Sequence, residues 1–223
     1  AQVLTNWKNP VASNEATINF IDMPNAVQSE VSVQNVVNLQ MKDPDYLPTL
    51  MANRILGGGG SARLFQNLRE DKAYTYGSYS SIGNSKYVPS RFRAYAIVRN
   101  AVTDSAAVQI LEEIQKITAE PVTQKELDAA KATYVGNFVM ALERPSTIAN
   151  YALNIETEGL PKDFYKTYLE RINAITVADV QQAAGKYFST ENTQVVVTGK
   201  GKEVLENLEK MTFQGKKLPV KYF

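Results

Sequence analysis

Leu56-Gly57-Gly58-Gly59-Gly60-Ser61-Ala62-Arg63-Leu64-Phe65-Gln66-Asn67-Leu68-Arg69-Glu70-Asp71-Lys72-Ala73-Tyr74-Thr75-Tyr76 is the most informative stretch of this 223-residue chain. From Tyr46 to Leu56, the residues Leu47, Leu50, Met51 and Ile55 recur at helical spacing. From Ala62 to about Asp71, Leu64, Phe65 and Leu68 share one helical face, with Ser61 as the expected N-cap. Between the two lies a run of glycines. A glycine-rich loop leading into a helix can present backbone amides to an anion. This run, however, lacks the Gly-Lys-Ser/Thr ending of a phosphate loop, and a helix rather than a strand precedes it. It reads as a flexible hinge between two helices that pack closely. Past it, Arg69 stands at a helix end and Tyr74 and Tyr76 at a strand start. Such residues can converge on one cleft and offer fixed donors to a developing oxyanion. The plainer alternative is a solvated helix end followed by a tyrosine lying over the core.

Outward from this stretch, Ile18–Ile21 reads as a short strand, and Val31, Val33, Val37 and Leu39 alternate with polar residues as a half-buried strand. Two strands are expected near 75–82 and 90–99. In the second, Phe92, Ala94, Ala96 and Val98 form one face, and Arg91, Arg93, Tyr95 and Arg99 lie on the other. Ala107, Ile110, Leu111, Ile114 and Ile117 mark an amphipathic helix. Thr123-Gln124-Lys125-Glu126 is a capping box that opens a long helix, and Pro145 kinks or ends that helix. Shorter helices are expected at 146–157, 162–173 and 177–188, then a strand at 193–198 and a helix at 201–210. Strand pairs separated by helices predict an α+β fold in two layers, a mostly antiparallel sheet with helices packed on one face. Residues 1–14 read as a linker or extended arm, and 15–223 as one domain.

Composition excludes several chemistries. There is no histidine and no cysteine, so no Ser-His-Asp triad, histidine base, thiol nucleophile or common zinc site can be assembled from this chain. Lysine plus arginine total 24 against 23 acidic residues, a balance that argues against nucleic acid as a partner. No apolar run approaches the ~20 residues that span a bilayer, so no membrane partner is expected and the chain reads as soluble. Asp43 and Asp45 lack a third ligand at calcium-loop spacing. Glu112-Glu113, Glu156/Glu158 and Glu203/Glu206 read as solvated helix faces. The Arg91, Arg93, Arg99 and Tyr95 face reads as solubility or intramolecular pairing, and Tyr134, Phe138, Tyr165 and Tyr168 as core.

Taken as a whole, Leu56–Glu70 followed by Tyr76 resembles the second, non-zinc domain of the pitrilysin/insulinase (inverzincin) zinc peptidases. The capping-box helix at Thr123, Glu143-Arg144-Pro145, Ile175–Val180 and the Val195–Gly199 strand follow in the family's order, so the resemblance covers most of 15–210. It implies that zinc and a His-x-x-Glu-His motif belong to a partner domain or subunit, with no cofactor bound by this chain. It also implies that Arg69 and Tyr76 bind peptide substrate near the scissile carbonyl and stabilise its oxyanion. The family commonly has a small residue and Leu-Ala before its tyrosine; this chain has Ala73-Tyr74-Thr75. Tyr74 therefore competes for the role, since period-two alternation would set it on the same face as Tyr76. The implied function is the substrate-binding and transition-state-stabilising half of a zinc endopeptidase, in a homo- or hetero-dimer or as part of a longer chain. The alternative is a non-catalytic assembly subunit with the same fold.

Overall fold

A computed structural model describes residues 10–223. Six strands form the main sheet: β1 (Thr17–Asp22), β2 (Gln28–Val37), β3 (Thr75–Ile82), β4 (Ser90–Arg99), β5 (Gln194–Gly199) and β8 (Val220–Tyr222). Their order is β3-β4-β2-β5-β1-β8. The β3/β4, β4/β2 and β2/β5 pairs are antiparallel; β5/β1 and β1/β8 are parallel. This is the two-layer, mostly antiparallel α+β architecture expected from the strand and helix order. Register explains why one face is buried. Val31 sits opposite Ala96 and Val197, and Val33 opposite Ala94 and Val195, which stacks small and β-branched side chains in one apolar layer. Ser32, Tyr95 and Val196, one residue along, face the other way.

Helices α1 (Tyr46–Gly57), α3 (Thr103–Ala119), α7 (Val177–Tyr187) and α8 (Gly201–Lys210) cover the apolar layer. The stripe Ile110, Leu111, Ile114 and Ile117 of α3 is fully buried, and each such side chain contributes roughly 1.5–3 kcal/mol relative to exposure. Helix α4 (Gln124–Ala141) opens with the expected capping box: Thr123 N–H donates to Glu126 Oε2 (2.8 Å) and Glu126 N–H to Thr123 Oγ1 (3.2 Å). A second box, Thr176/Asp179, starts α7. Of the kink or end expected at Pro145, the end is what forms: α4 stops at Ala141, and Pro145 is the first residue of the next helix, α5 (Pro145–Glu158).

Three expectations change. The helix expected over 162–173 is confined to α6 (Tyr168–Ala174), because residues 161–167 form isolated turns that bury Phe164. Tyr134, Phe138, Tyr165 and Tyr168 are not all in the main core. Phe138, Tyr165 and Tyr168 make a satellite aromatic stack with Tyr151 between α4, α5 and α6, with Phe138–Tyr168 centroids at 4.7 Å and Tyr151–Tyr165 at 3.8 Å, while Tyr134 and Tyr168 also pack against the main core as expected. Burial beside this stack pushes the Tyr46 phenol up to about 12. Last, residues 211–223 carry structure that the sequence did not announce. A hairpin of β6 (Thr212–Phe213) and β7 (Lys216–Lys217) turns through Gln214 and Gly215, both at positive φ, before β8 joins the edge of β1. Of the arm read at 1–14, residues 1–9 lie outside the described residues, and 10–14 have no regular structure.

Candidate functional site

The glycine run works by close approach. A Cβ on Gly57, the last residue of α1, would lie 2.3 Å from the Ser80 backbone nitrogen in β3. Only glycine lets the helix end rest on that strand. Ser80 Oγ in turn donates to Asn53 Oδ1 (2.8 Å), and the Arg54 guanidinium donates to the Gly58 carbonyl across the loop. The chain then enters α2 (Arg63–Phe65), whose N-cap is Ala62 rather than Ser61, and which widens into a π-helical turn over Gln66–Asp71. Leu64 and Leu68 are fully buried in the core. Phe65 and Arg69 stand one residue further round, stacked on each other at i and i+4. Asn67 Nδ2 ties the turn to α3 by donating to Glu113 Oε1 (2.7 Å). Glu113 is buried, not solvated as its helical position suggested, and also takes Lys116 Nζ at 3.0 Å.

Beyond the turn, Ala73 adopts the left-handed region at φ 52, and Tyr74 N–H closes the helix end on the Leu68 carbonyl (2.9 Å). Tyr74 and Tyr76 then part company. Tyr74 lies before the strand, half-buried against the core and beside Asp104, Val108 and Met211. Tyr76, inside β3, is 87% exposed. The two phenols do not share a face, because Tyr74 precedes β3, directly after the left-handed Ala73, and strand alternation does not extend to it. The pairing of β3 with β4 is itself interrupted between Thr75 and Ser78. The Thr75 hydroxyl bridges this irregularity, donating to the Ile97 carbonyl (2.6 Å) and accepting from Gly77 N–H (3.1 Å).

A run of rings connects Arg69 to the strand pair that carries Tyr76. The Arg69 guanidinium sits 4.8 Å from the Phe65 centroid, Phe65 lies 6.0 Å from Tyr79, and Tyr79 lies 6.3 Å from Tyr95. Tyr79 and Tyr95, together with Tyr76, Gly77 and Ile97, line one shallow concavity at the β3/β4 end of the sheet. Arg69 is thus joined to a hollow whose rim holds Tyr76. Its own ion pair, to Glu70 at 3.4 Å, is solvent-exposed and weak. Sequence reading missed the parts of Phe65, Tyr79 and Tyr95. The available signals were the Phe65/Arg69 spacing of four and the aromatic residues in neighbouring strands.

Several of the remaining charged candidates have structural partners. Asp43 accepts from Gln40 N–H (2.8 Å), and Asp45 pairs with Lys186 at 2.6 Å. Arg93 pairs with Glu30, donates to Ser32 Oγ (2.9 Å) and stacks 4.1 Å from the Tyr95 centroid, which is the intramolecular pairing expected of that face. Arg99 donates to the Ala73 carbonyl (3.3 Å). A zinc ion does not fit what this chain offers. The sequence has neither histidine nor cysteine, and no three ligating side chains come together among the described residues.

Residues 6–134 match the family described as the peptidase M16 inactive domain. An uncharacterized zinc protease of Rickettsia bellii is 34% identical over 152 residues, covering 64% of this chain and 34% of that protein. A Helicobacter pylori protein described as the non-peptidase homolog YmxG is 28% identical over 127 residues, covering 56% of this chain and 29% of its own length. Among solved structures, the peptidase M16 inactive domain from Pseudomonas fluorescens matches with a TM-score of 0.79 at 23% identity, over 90% of this chain and 47% of that one, a likeness of fold. The chain spans about a third of the length of the curated relatives it matches. These matches bear out the resemblance carried by residues 56–76. The chain belongs to the peptidase M16 inactive-domain family.

Proposed function

We propose that this chain is the peptide-binding, transition-state-stabilising half of a zinc endopeptidase whose metal and general base are held by a partner domain or subunit. In this reading the Tyr76 hydroxyl donates a hydrogen bond to the oxygen that gains charge when a scissile carbonyl is attacked. The Arg69 guanidinium, with its five donors, holds the substrate backbone beside it. A donor already fixed in place costs no reorganisation as the charge develops, and losing one such donor typically reduces turnover about 100- to 1,000-fold.

The observation that carries this reading is the 87% exposure of Tyr76 on a locally irregular strand, next to a hollow that reaches Arg69 through the tilted Tyr79 and Phe65 rings. Tyr74, by contrast, is half-buried against the core. Tyr76 rather than Tyr74 therefore takes the tyrosine role. The test combines the chain with its His-x-x-Glu-His half and compares peptide turnover of wild type, Arg69→Ala and Tyr76→Phe. Turnover should fall at least 100-fold in each variant, mainly in kcat for Tyr76→Phe. Unchanged turnover in both removes the assignment.

A second reading, a non-catalytic assembly subunit, is favoured by the relative described as a non-peptidase homolog. It predicts that Arg69→Ala and Tyr76→Phe leave every function of the complex untouched, and that no neighbouring reading frame encodes the zinc motif.

A further inference from the structure

We propose that Tyr79 and Tyr95 form a selecting platform that takes one large apolar or aromatic side chain of an extended peptide lying against Arg69 and Tyr76. The inference rests on the peptide-binding reading above and adds the class of side chain that is read.

Four features of the sheet carry it. First, Tyr79 and Tyr95 are directly opposite in the β3/β4 ladder, and their rings flank a concavity of about 330 Å³ that Tyr76 and Ile97 also line. That volume admits an aromatic side chain. Second, both rings are held before any ligand arrives. Tyr95 is backed by the Arg93 guanidinium, itself fixed by Glu30 and Ser32, and Tyr79 is backed by Phe65. Tyr79 also lies down on its own strand, since a Cβ on Gly77 would come within 2.7 Å of its ring and hydroxyl. Pre-ordered rings lose little freedom on binding. Third, the apolar surface is concentrated there. Along the same face of the neighbouring strands β2 and β5 the residues are Glu30, Ser32, Gln34, Gln194, Val196 and Thr198, with Val196 the one apolar side chain and half-buried, whereas Tyr76, Ile97 and Tyr79 are exposed at the β3/β4 end. Fourth, the charges next to the platform are already paired. Arg93 is held by Glu30 and Arg69 by Glu70, and among the described residues no carboxylate lines the concavity itself. A lysine or arginine side chain of a peptide would find no unpaired carboxylate there. A phenylalanine or leucine would instead cover ring faces and Ile97.

Titration of the chain with acetyl-Ala-Ala-Phe-Ala-Ala-amide, followed by NMR of labelled tyrosine rings, tests this. The Phe peptide should shift the Tyr79 and Tyr95 rings and bind about tenfold more tightly than the same peptide with Ala or Lys at the centre. Tyr95→Thr should bring that ratio to about two or less without changing binding of the Ala peptide, and Tyr95→Phe should restore it. Gly77→Ala, which lifts the Tyr79 ring without removing it, should lower the ratio in the same way and serves as an independent variant if Tyr95→Thr unfolds. Equal binding of the Phe and Ala peptides, a ratio untouched by both variants, or no shift of either ring at millimolar peptide overturns the platform. The underlying reading fails separately: there, Arg69→Ala leaves the binding of both peptides unchanged while the Phe preference persists.

Discussion

Replacing Gly57 by alanine should unfold part of the site's scaffold, whereas the same change at Gly60 should not. The contrast can be worked from geometry. The added methyl at residue 57 would lie 2.3 Å from the Ser80 nitrogen, 2.6 Å from its Oγ and 2.8 Å from its Cβ, and two of these three atoms belong to or adjoin strand backbone that cannot rotate away. The end of α1 must then lift from β3. Overpacking of this kind costs typically 1–3 kcal/mol. Lifting also strains or breaks the Ser80–Asn53 hydrogen bond (2.8 Å), worth about 1 kcal/mol. Together these give about 2–4 kcal/mol. For a chain of this size that is a fall of roughly 5–15 °C in Tm. At residue 60 the nearest atom to an added methyl is a Phe65 ring carbon at 3.8 Å, ordinary contact, and the change should stay within about 0.5 kcal/mol. Urea unfolding followed by circular dichroism, with thermal melts alongside, measures both. If Gly57→Ala costs under 1 kcal/mol, or Gly60→Ala costs as much as Gly57→Ala, the close-approach argument is wrong and the run is a hinge after all.

Two further predictions concern α4. Gly136 is exposed in the helix interior with nothing among the described residues within 4 Å of an added methyl, so Gly136→Ala should stabilise the chain by about 0.5–1 kcal/mol, read from the same urea curves. Glu126 accepts two hydrogen bonds from Arg63 (2.7 and 3.0 Å) as well as the Thr123 amide, and these contacts outweigh its partial burial, bringing its carboxyl down to about 2. A folded pKa below the unfolded value means stability that is present above about pH 4.5 and lost as the pH falls toward 2. Glu126→Gln should therefore cost about 1–2 kcal/mol at pH 7, a figure reduced for the pair's partial exposure, and the gap from wild type should close across that acid range. A gap that is constant from pH 7 to pH 2.5 would show that the carboxylate charge contributes nothing.

What the sequence revealed follows the range of the interactions involved. The strands at 75–82 and 90–99 and the helix at 201–210 lie where alternation and periodicity put them, because each depends on neighbours a few residues away. The Thr123 box is likewise local. The burial of Glu113 has no local signal: its partner Asn67 lies 46 residues earlier and reaches it only through the packing of the π-helical turn on α3. Alternation sets Tyr74 and Tyr76 on one face only if both belong to the strand, and Tyr74 lies before it, after the left-handed Ala73. The irregularity between Thr75 and Ser78 depends on a hydroxyl bonding to Ile97, 22 residues on. The tail strand β8 is three residues long and gains its place only from the free edge of β1, so no pattern within it marks it as a strand.

These long-range contacts converge on one segment. Gly57 fixes where it leaves α1, the Asn67–Glu113 bond fixes its middle, and the Thr75–Ile97 bond fixes where it joins β4. Between the last two, Ala73 holds a left-handed backbone that alanine adopts at a cost of roughly 1–2 kcal/mol. Strain of this sort persists only where the surroundings over-determine it. Here the surroundings are the buried Leu68 on one side and the bridged strand on the other. The sharp reversal at Ala73 separates the two tyrosines, turning Tyr74 to the core and leaving Tyr76 to emerge on the strand. The position of Arg69 and Tyr76 is therefore a property of residues 57–77 acting as a unit. Changes at Gly57, Asn67 or Thr75, none of which needs to touch a ligand, should move the pair as surely as changes beside it.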